Sequence, residues 1–396
     1  MNTISLAEWE PRRGVELTPV QVTALAASRY VTITPDPQPS GTWQVTAQSH
    51  VGVLALAGLE IRIRPKIGIS RLLALLSRHI VKVSFDADRV DWGTDDDLTA
   101  MIANAFITET EKLLAGGLLS GYRAVDESLL TIRGRIDMGR HVAARAGMPL
   151  PVEVTYDHFT TDITENRVLA GATRRLLRVA GLNSALTGRL RRLNLLLNDI
   201  EPTFDPGTAM GIVWSRLNDR YRIPVGLAVL GINATTIEEH STRSARASSF
   251  LVDMNRIFEA EVTAGLQAAC RHAVHHLIAQ GSMWLDGDRN LSIRPDITVR
   301  VGTDLAAVAD VKYKQPDLRG IDSADVYQVL AYAHRFRLRD VHLVYPTQPT
   351  ITRLTVGDIT VHLHHVDITA DPQIQQAVFS GLLAALVGVL SPATFS

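Results

Sequence analysis

Two carboxylates and a lysine lie close together in a stretch that otherwise has the composition of a buried β-hairpin. Asp296 follows a proline in LSIRPDITVRV, and Asp310 and Lys312 come 14 and 16 residues later in LAAVADVKYK. Side chains two residues apart on a strand point to the same face, so Asp310 and Lys312 share one face. If the two strands pair, Asp296 lies across from them, and two carboxylates and an ammonium group meet on a small area.

This group of residue types indicates metal-assisted phosphodiester hydrolysis. Neighbouring carboxylates repel each other unless a proton or a cation lies between them. Mg²⁺, or Mn²⁺ in its place, accepts carboxylate oxygens together with waters and a substrate phosphate. A bound cation makes a water more acidic, and a lysine can orient that water or offset charge on phosphoryl oxygens. The competing interpretation is a surface hairpin whose Asp–Lys pair contributes only ~0–1 kcal/mol.

The scarcity of lysine favours a functional motif over a chance match. The sequence has 40 lysines and arginines, but lysine occurs only at positions 66, 82, 112, 312 and 314. The tripeptide at 310–312 is the only place where an acidic residue stands two positions before a lysine. Short motifs often match by chance, but strand periodicity on both sides and the upstream Pro-Asp pair make this match more specific.

Composition excludes several functional classes. The chain has 396 residues, 46% of them hydrophobic and 20% charged, which predicts two or three folded domains. The formal net charge of -1 argues against general attraction to polyanions, so any DNA contact must come from local basic patches.

Cys270 is the only cysteine, which excludes an intramolecular disulfide and a Cys₄ zinc or cysteine-ligated iron–sulfur site. The N-terminus lacks an apolar signal core, and the apolar run 378–390 is shorter than the ~20 residues of a membrane span, so we expect a cytoplasmic protein without a membrane partner.

The sequence predicts a mixed α/β protein in three segments. Residues 1–90 indicate a β-rich domain, residues 91–245 a mainly helical region with a β insertion, and residues 246–396 an α/β domain. The predicted elements are a strand ending before Pro65, helices at about 70–78, 95–115, 162–181, 185–198, 250–277, 323–337 and 378–390, a β segment at 128–141, the hairpin within 291–314, and strands near 342–346 and 360–366. Residues 206–249 show no clear periodicity and end in a polar connector.

Several motifs, taken in order, resemble those of one nuclease family. A Pro-Asp, a short spacer and D/E-x-K resemble the PD-(D/E)xK nuclease superfamily. More narrowly, RPDITV, ADVKYK and DVYQVLAYA resemble the McrC family, the nuclease subunit of McrBC-type modification-dependent restriction systems. The segments FLVDMNRIFEAEV, VGVLALAGLEIRIRPKI, LLTIRGRID and YDHFTTDITENRVLAGA are also similar to that family. The resemblance covers most of the chain, and its most specific motifs lie between residues 254 and 332.

The resemblance implies a restriction-endonuclease-like nuclease domain at 246–396 and a set of site residues. Gln328 and Tyr332 lie four apart on one helix face and match the Q-x-x-x-Y element that follows the catalytic lysine, with ordinary helix packing as the alternative. Glu259 matches an acidic residue on the helix before the core strands, with a solvated helix glutamate as the alternative. The implied metal ligands are Asp296, Asp310, Glu259 and Val311, and the implied catalytic residues are Asp296, Asp310, Lys312, Glu259, Gln328 and Tyr332.

The resemblance also implies partners. A subunit of this kind cleaves DNA together with a hexameric McrB-like AAA+ GTPase that recognises 5-methylcytosine-type modification, and its N-terminal domain engages the GTPase ring and stimulates GTP hydrolysis. This chain has no Gly-Lys dipeptide and therefore no Walker A loop, so we expect no nucleotide bound by the chain itself. Arg62, Arg64 and Lys66 are candidates for contact with the ring or with DNA, and a solvated strand face is the alternative.

Two other functions remain open. A stand-alone or RecB-like DNA nuclease would use the same chemistry without a GTPase. A non-catalytic activator would stimulate a GTPase ring without cleaving DNA. The intact set of Asp296, Asp310 and Lys312 argues against this alternative.

Two histidine pairs are weaker metal candidates. His272 and His276 have helical spacing but lack the glutamate of an H-E-x-x-H motif, because Ala273 stands in its place. His362 and His364 share a strand face with no acidic companion nearby in the sequence.

Overall fold

The computed structural model describes residues 2–38, 41–79, 97–145, 147–236, 249–270, 275–279, 283–285, 288–314, 321–370 and 372–388. Strands and helices mix along these residues, as predicted for an α/β protein. The strands are β1 (Asn2–Ala7), β2 (Pro11–Val15), β3 (Val31–Pro35), β4 (Trp43–Ala47), β5 (His50–Leu56), β6 (Leu59–Arg64), β7 (Gly121–Leu129), β8 (Arg135–Ile136), β9 (Val152–Thr160), β10 (Thr235–Thr236), β11 (Ser249–Asp253), β12 (His275–Ala279), β13 (Met283–Trp284), β14 (Ser292–Ile293), β15 (Ile297–Val301), β16 (Asp304–Val311), β17 (Asp340–Tyr345), β18 (Arg353–Val356) and β19 (Ile359–His365). The helices are α1 (Pro19–Ala27), α2 (Ile69–His79), α3 (Leu98–Ala115), α4 (Met138–Arg145), α5 (Thr164–Leu176), α6 (Ser184–Leu196), α7 (Arg222–Ala234), α8 (Met254–Cys270), α9 (Ser323–Phe336) and α10 (Pro372–Leu386).

The chain divides into two compact units. The first contains residues 1–52, 56–79 and 252–396, and the second contains residues 53–55 and 80–251. The two domain boundaries that the sequence predicts, after residues 90 and 245, both lie outside the described residues. The three-domain division therefore stays a prediction.

The N-terminal part of the first unit is rich in strands, as its alternating pattern predicts. β2, β4 and β3 form an antiparallel sheet, and β1 pairs in parallel with β6. Helix α1 begins with a capping box, because Thr18 and Gln21 each accept the backbone N–H of the other through their side chains. β6 ends directly before Pro65 and α2 follows it, both as predicted.

A six-stranded mixed sheet forms the core of the C-terminal part of the first unit. Its order is β12-β15-β16-β17-β19-β18, with parallel pairs between β16, β17 and β19 and antiparallel pairs elsewhere. β15 and β16 form the predicted hairpin, in which Ile297 pairs with Ala309 and Thr298 with Val308. This register places the residue before β15 beside the end of β16.

Helix α9 covers one face of this sheet. The packed side chains come from α9, β16, β17 and β19, and they are Val308, Val326, Val329, Tyr332, Ala333, Val341, Leu343, Tyr345, Val361 and Leu363. The helix begins at Asp322, whose carboxylate accepts the N–H of Ala324 at 2.9 Å, and ends at Arg337 in the left-handed conformation (φ 55°). The predicted helix at 323–337 is thereby confirmed.

Helices α8 and α10 pack closely against each other in the same unit. A Cβ atom on Gly265 would lie 2.2 Å from the ring of Phe379, so this crossing requires glycine in α8. α8 also contacts the end of β16, where the rings of Phe258 and Tyr313 have centroids 5.7 Å apart. These contacts fix the helix that carries Glu259.

The prediction of one helix over 250–277 is wrong at both ends. Phe250 lies in β11, and α8 begins only after Asp253, whose carboxylate accepts the N–H of Asn255 at 2.9 Å. At the other end, α8 stops at Cys270 and residues 275–279 form β12. A short apolar run is compatible with either a buried strand or a helix, which explains the error. The C-terminal helix is confirmed with earlier bounds, and residues 389–390 of its predicted range lie outside the described residues.

The second unit is mainly helical, as predicted. α3, α5, α6 and α7 pack against one another. α3 begins at Asp97, whose carboxylate accepts the N–H groups of Thr99 and Ala100. The predicted β segment at 128–141 is only partly right, because its last residues begin α4. In the part of the chain that the structure describes, no helix is long and apolar enough to cross a membrane.

A β-ribbon of the second unit, together with helix α4 and the loops beside it, exposes several large apolar side chains. β7 and β9 pair antiparallel along their 9-residue lengths, and β8 pairs with β9. The exposed apolar side chains in this region, here called the apolar ribbon, are Tyr122, Leu130, Ile132, Met138, Val142, Met148, Leu150 and Phe159. Tyr122 and Phe159 lie opposite each other, with ring centroids 5.1 Å apart.

Candidate functional site

The hairpin brings the two predicted carboxylates together. Asp296 precedes β15, and its Oδ2 accepts the backbone N–H of Val311 at 2.8 Å. Asp310, one residue earlier on β16, is 1% exposed. The two-residue strand period and the antiparallel register therefore produce the juxtaposition that the sequence predicts.

Lys312 lies against the same pair of strands. Its ammonium group is 2.5 Å from Oδ2 of Asp310 and donates a hydrogen bond to Oε1 of Gln328 at 3.0 Å. Its backbone N–H donates to the carbonyl of Val344 at 2.9 Å, which continues the pairing with β17 beyond the end of β16. The side chain is thus directed from a fixed backbone towards the carboxylates.

Gln328 joins helix α9 to this group. Its Nε2 donates to Oδ1 of Asp310 at 3.3 Å and to the hydroxyl of Tyr332 at 2.7 Å. The residues four apart on α9 therefore share a face, as predicted, and that face lies over the end of β16. Burial raises the pKa of Tyr332 to about 12, although the hydrogen bond from Gln328 opposes the change.

The site favours a proton or a cation between its carboxylates. Burial raises the pKa of Asp296 to about 7, and the charges of Asp310 and Glu259 raise it as well, whereas the Val311 N–H and Lys312 lower it. Oδ2 of Asp310 is buried and accepts no hydrogen bond from the described residues, although the Lys312 ammonium lies beside it. The ammonium supplies a counter-charge to this oxygen, so it is the raised pKa of Asp296 that indicates room for a proton or a further cation between the two carboxylates.

The donor set fits Mg²⁺ or Mn²⁺ in part. A small hard cation of this kind is often held by one or two carboxylates and completes its coordination with waters and substrate phosphate. Asp296 and Asp310 can supply those carboxylates. Within the described ranges, no three His, Cys, Asp or Glu side chains are grouped so that they could hold a metal ion. The metal roles of Glu259 and Val311 therefore stay predictions, and Val311 here supplies its N–H to Asp296.

The histidine pairs differ from expectation. His276 lies in β12, so the expected helical pair with His272 is wrong, and His272 itself lies outside the described residues. His362 does have an acidic companion, because its Nε2 lies 2.7 Å from Oδ1 of Asp340. The two residues are 22 positions apart and meet only because β17 and β19 pair in parallel, which the sequence does not reveal.

A third carboxylate, Glu8, is fully buried near the site. Its Oε2 accepts the N–H of Lys66 at 2.9 Å and the hydroxyl of Tyr313 at 3.3 Å, whereas Oε1 has no partner among the described residues. Burial raises the pKa of Glu8 to about 7, against the effect of the Lys66 N–H, the Tyr313 hydroxyl and the Lys66 charge. Glu8 thus contacts the residue that follows Lys312.

Sequence reasoning missed Glu8 and also Lys314, which forms ion pairs with Asp322 and Asp325. Glu8 and Tyr313 are 305 positions apart, and no local pattern signals their contact. Lys314 did carry a signal. It is one of the few lysines, and it stands two positions beyond Lys312, in the same strand alternation.

Comparisons with known proteins agree with the motifs. Residues 45–346 match a family model described as McrBC 5-methylcytosine restriction system component. A refined half-complex from the tetradecameric assembly of Thermococcus gammatolerans McrB AAA+ hexamers with bound McrC contains a chain 18% identical to this one, with a TM-score of 0.60 over 98% of this chain and 100% of that chain. A cryo-EM structure of the Thermococcus gammatolerans McrBC complex matches 65% of this chain and 85% of that chain at 19% identity, with a TM-score of 0.41. No curated protein matches the chain significantly.

The burial of Glu8 predicts that the free energy of unfolding depends on pH. A carboxyl group whose pKa rises on folding, here from 4.5 to about 7, loses its stabilising effect as the pH rises through that range. Glu8→Gln keeps acceptors for Lys66 and Tyr313 but cannot ionise. We expect it to be similar to the wild type in free energy of unfolding near pH 4, and more stable by up to about 3 kcal/mol near pH 8.

Urea unfolding at several pH values measures this difference. Glu10→Gln is the matched control, because Glu10 is an exposed carboxylate two residues away. A stability difference between Glu8→Gln and wild type that stays constant from pH 4 to pH 8 would contradict the assignment of a buried, titrating Glu8.

Proposed function

We propose that this chain, which belongs to the McrBC family of 5-methylcytosine restriction system components, is the subunit that hydrolyses DNA. The observation that carries the proposal is the convergence of Asp296, Asp310 and Lys312 at one end of the mixed sheet, with Gln328 bonded to both Lys312 and Asp310. A site of two carboxylates and one ammonium group suits metal-assisted phosphodiester hydrolysis.

The side chains would divide the work as follows. Asp296 and Asp310 would hold the cation through their carboxylate oxygens. Lys312 would stabilise the negative charge that develops on the phosphoryl oxygens, because its ammonium is fixed before the substrate arrives. Gln328 would keep that ammonium in place through its Oε1 while its Nε2 holds Asp310.

The cation expected here is Mg²⁺, with Mn²⁺ as a substitute. When bound, it would supply an activated water and neutralise charge at the phosphate. Glu259 is the candidate for a further carboxylate, since its charge acts on Asp296. No nucleotide is expected on this chain itself, because it lacks a Walker A loop.

The family implies a partner, and we propose an McrB-like AAA+ GTPase that binds the apolar ribbon. Monomeric proteins rarely expose many large apolar side chains in one region unless a partner covers them. The ribbon combines paired aromatic residues, Tyr122 and Phe159, with aliphatic side chains, and aromatic residues often dominate the binding energy of interfaces. Arg62, Arg64 and Lys66, which the sequence offers for the same contact, remain the competing surface.

The proposed chemistry predicts loss of cleavage in two single variants. Asp310→Asn and Lys312→Ala should each lower cleavage of a 5-methylcytosine-containing plasmid by about 10²–10³-fold or more, because the first removes a charged ligand of the cation and the second removes the ammonium that would stabilise charge on the phosphoryl oxygens. The assay contains an McrB-type GTPase, GTP and Mg²⁺. Stimulation of GTP hydrolysis by these variants should remain close to wild type.

Lys112→Ala is the control, since Lys112 is an exposed lysine whose ion-pair partner among the described residues is Glu109. Wild-type cleavage by Asp310→Asn would refute the site. No cleavage by the wild-type chain together with normal GTPase stimulation would favour the non-catalytic activator. Cleavage that needs neither GTPase nor GTP would favour the stand-alone nuclease.

The proposed partner surface predicts a separate loss. The double variant Tyr122→Ser, Phe159→Ser should weaken binding to the GTPase by at least about tenfold, because it removes the paired aromatic rings of the ribbon. A binding titration and the rate of GTP hydrolysis measure the effect. Leu195→Ser with Leu196→Ser is the matched control, as both leucines are exposed in the same unit but outside the ribbon. Unchanged binding by the aromatic variant, together with weakened binding by Arg64→Ala or Lys66→Ala, would place the contact in the N-terminal segment instead.

A further inference from the structure

Lys314 connects two acidic residues at the start of helix α9. Its ammonium lies 2.7 Å from Oδ2 of Asp322 and 2.8 Å from Oδ2 of Asp325. Asp322 is the residue that caps α9, and Asp325 lies in its first turn. Lys314 itself follows β16 two residues after Lys312, so this pair of contacts ties the strand that carries the site to the helix that carries Gln328.

The carboxylate of Asp325 also contacts strand β17. Asp325 is 4% exposed, and its Oδ2 accepts the hydroxyl of Tyr345 at 3.0 Å. Tyr345, the last residue of β17, belongs to the apolar core under α9. Burial alone would lower the pKa of Lys314, but the hydrogen bonds and charges of Asp322 and Asp325 outweigh it and raise that pKa. The ammonium therefore stays charged between its partners at neutral pH.

The position of this cluster matters because of helix spacing. Gln328 is three residues after Asp325, so the two side chains lie on the same face of α9, one turn apart. Gln328 in turn bonds Lys312 at 3.0 Å and Asp310 at 3.3 Å. A shift of the first turn of α9 away from β16 would lengthen both bonds and release Lys312.

We propose that Lys314 is a positioning residue for cleavage, which holds the first turn of α9 on β16 and β17 so that Gln328 keeps Lys312 aligned with Asp310. This inference rests on the proposed nuclease function. Misplacement of a catalytic group by about 1 Å can cost about 10²-fold in rate. Loss of Lys314 therefore acts on the chemical step and leaves the binding of DNA largely unchanged.

The test compares Lys314→Gln, Lys314→Arg and wild type as full chains with the GTPase partner. Lys314→Gln should lower the single-turnover cleavage rate at saturating DNA by about 10–100-fold, with DNA affinity measured in Ca²⁺ within about twofold of wild type. Lys314→Arg, which keeps the charge, should restore most of the rate. Amide hydrogen exchange in the first turns of α9, around Val326 to Gln328, should become faster in Lys314→Gln and not in Lys112→Gln, the control lysine.

Two further variants test the same contacts, and the first of them also serves if Lys314→Gln does not fold. Tyr345→Phe removes only the hydroxyl that Asp325 accepts and should give a smaller fall in cleavage rate. Combining Asp325→Asn with Lys314→Gln should cost no more rate than the worse single variant, because the two residues act as one unit. Additive losses, or wild-type cleavage by Lys314→Gln with unchanged exchange in α9, would overturn the inference. Absence of cleavage by the wild-type chain in this assay would instead count against the nuclease function.

Discussion

Two carboxylates packed beside each other in a protein interior cannot both remain ionised without compensation, and the arrangement around Asp296 and Asp310 follows from that constraint. The Val311 N–H, the Lys312 ammonium and the Gln328 amide all point at these oxygens. They do not compensate the pair completely, since the pKa of Asp296 still rises to about 7. Structural ion pairs in a core are normally better satisfied, so the remaining deficit is the physical reason to expect a cation and a phosphate here.

The elements around the site each fix one part of it. The β15–β16 hairpin sets the carboxylates, pairing with β17 sets the backbone of Lys312, and α9 sets Gln328 and Tyr332. α8 and the N-terminal segment reach the neighbouring Tyr313 through Phe258 and Glu8. The N-terminal residues therefore contribute directly to the unit that contains the site. Each compact unit carries one candidate functional feature: the carboxylate site in the first and the apolar ribbon in the second.

The sequence predicts those parts of the site that depend on local periodicity. The strand alternation of Asp310 and Lys312 and the helical spacing of Gln328 and Tyr332 both lead to the observed contacts. Contacts between distant segments could not be predicted. Glu8 meets Tyr313, and Asp340 meets His362, only through the order of strands in a sheet. The predicted start of α8 was wrong for a related reason. Phe250 fits the apolar stripe of a helix as well as it fits a buried strand, and only its tertiary contacts decide between the two.

We propose that Asp296 and Asp310 together bind a divalent cation. Anomalous diffraction from crystals of the full chain soaked in Mn²⁺ tests it most directly. We expect one strong peak about 2.0–2.3 Å from a carboxylate oxygen of each aspartate, and we expect it to be lost in Asp310→Asn. A wild-type structure with no peak between these carboxylates, or a peak that persists unchanged in Asp310→Asn, would contradict it.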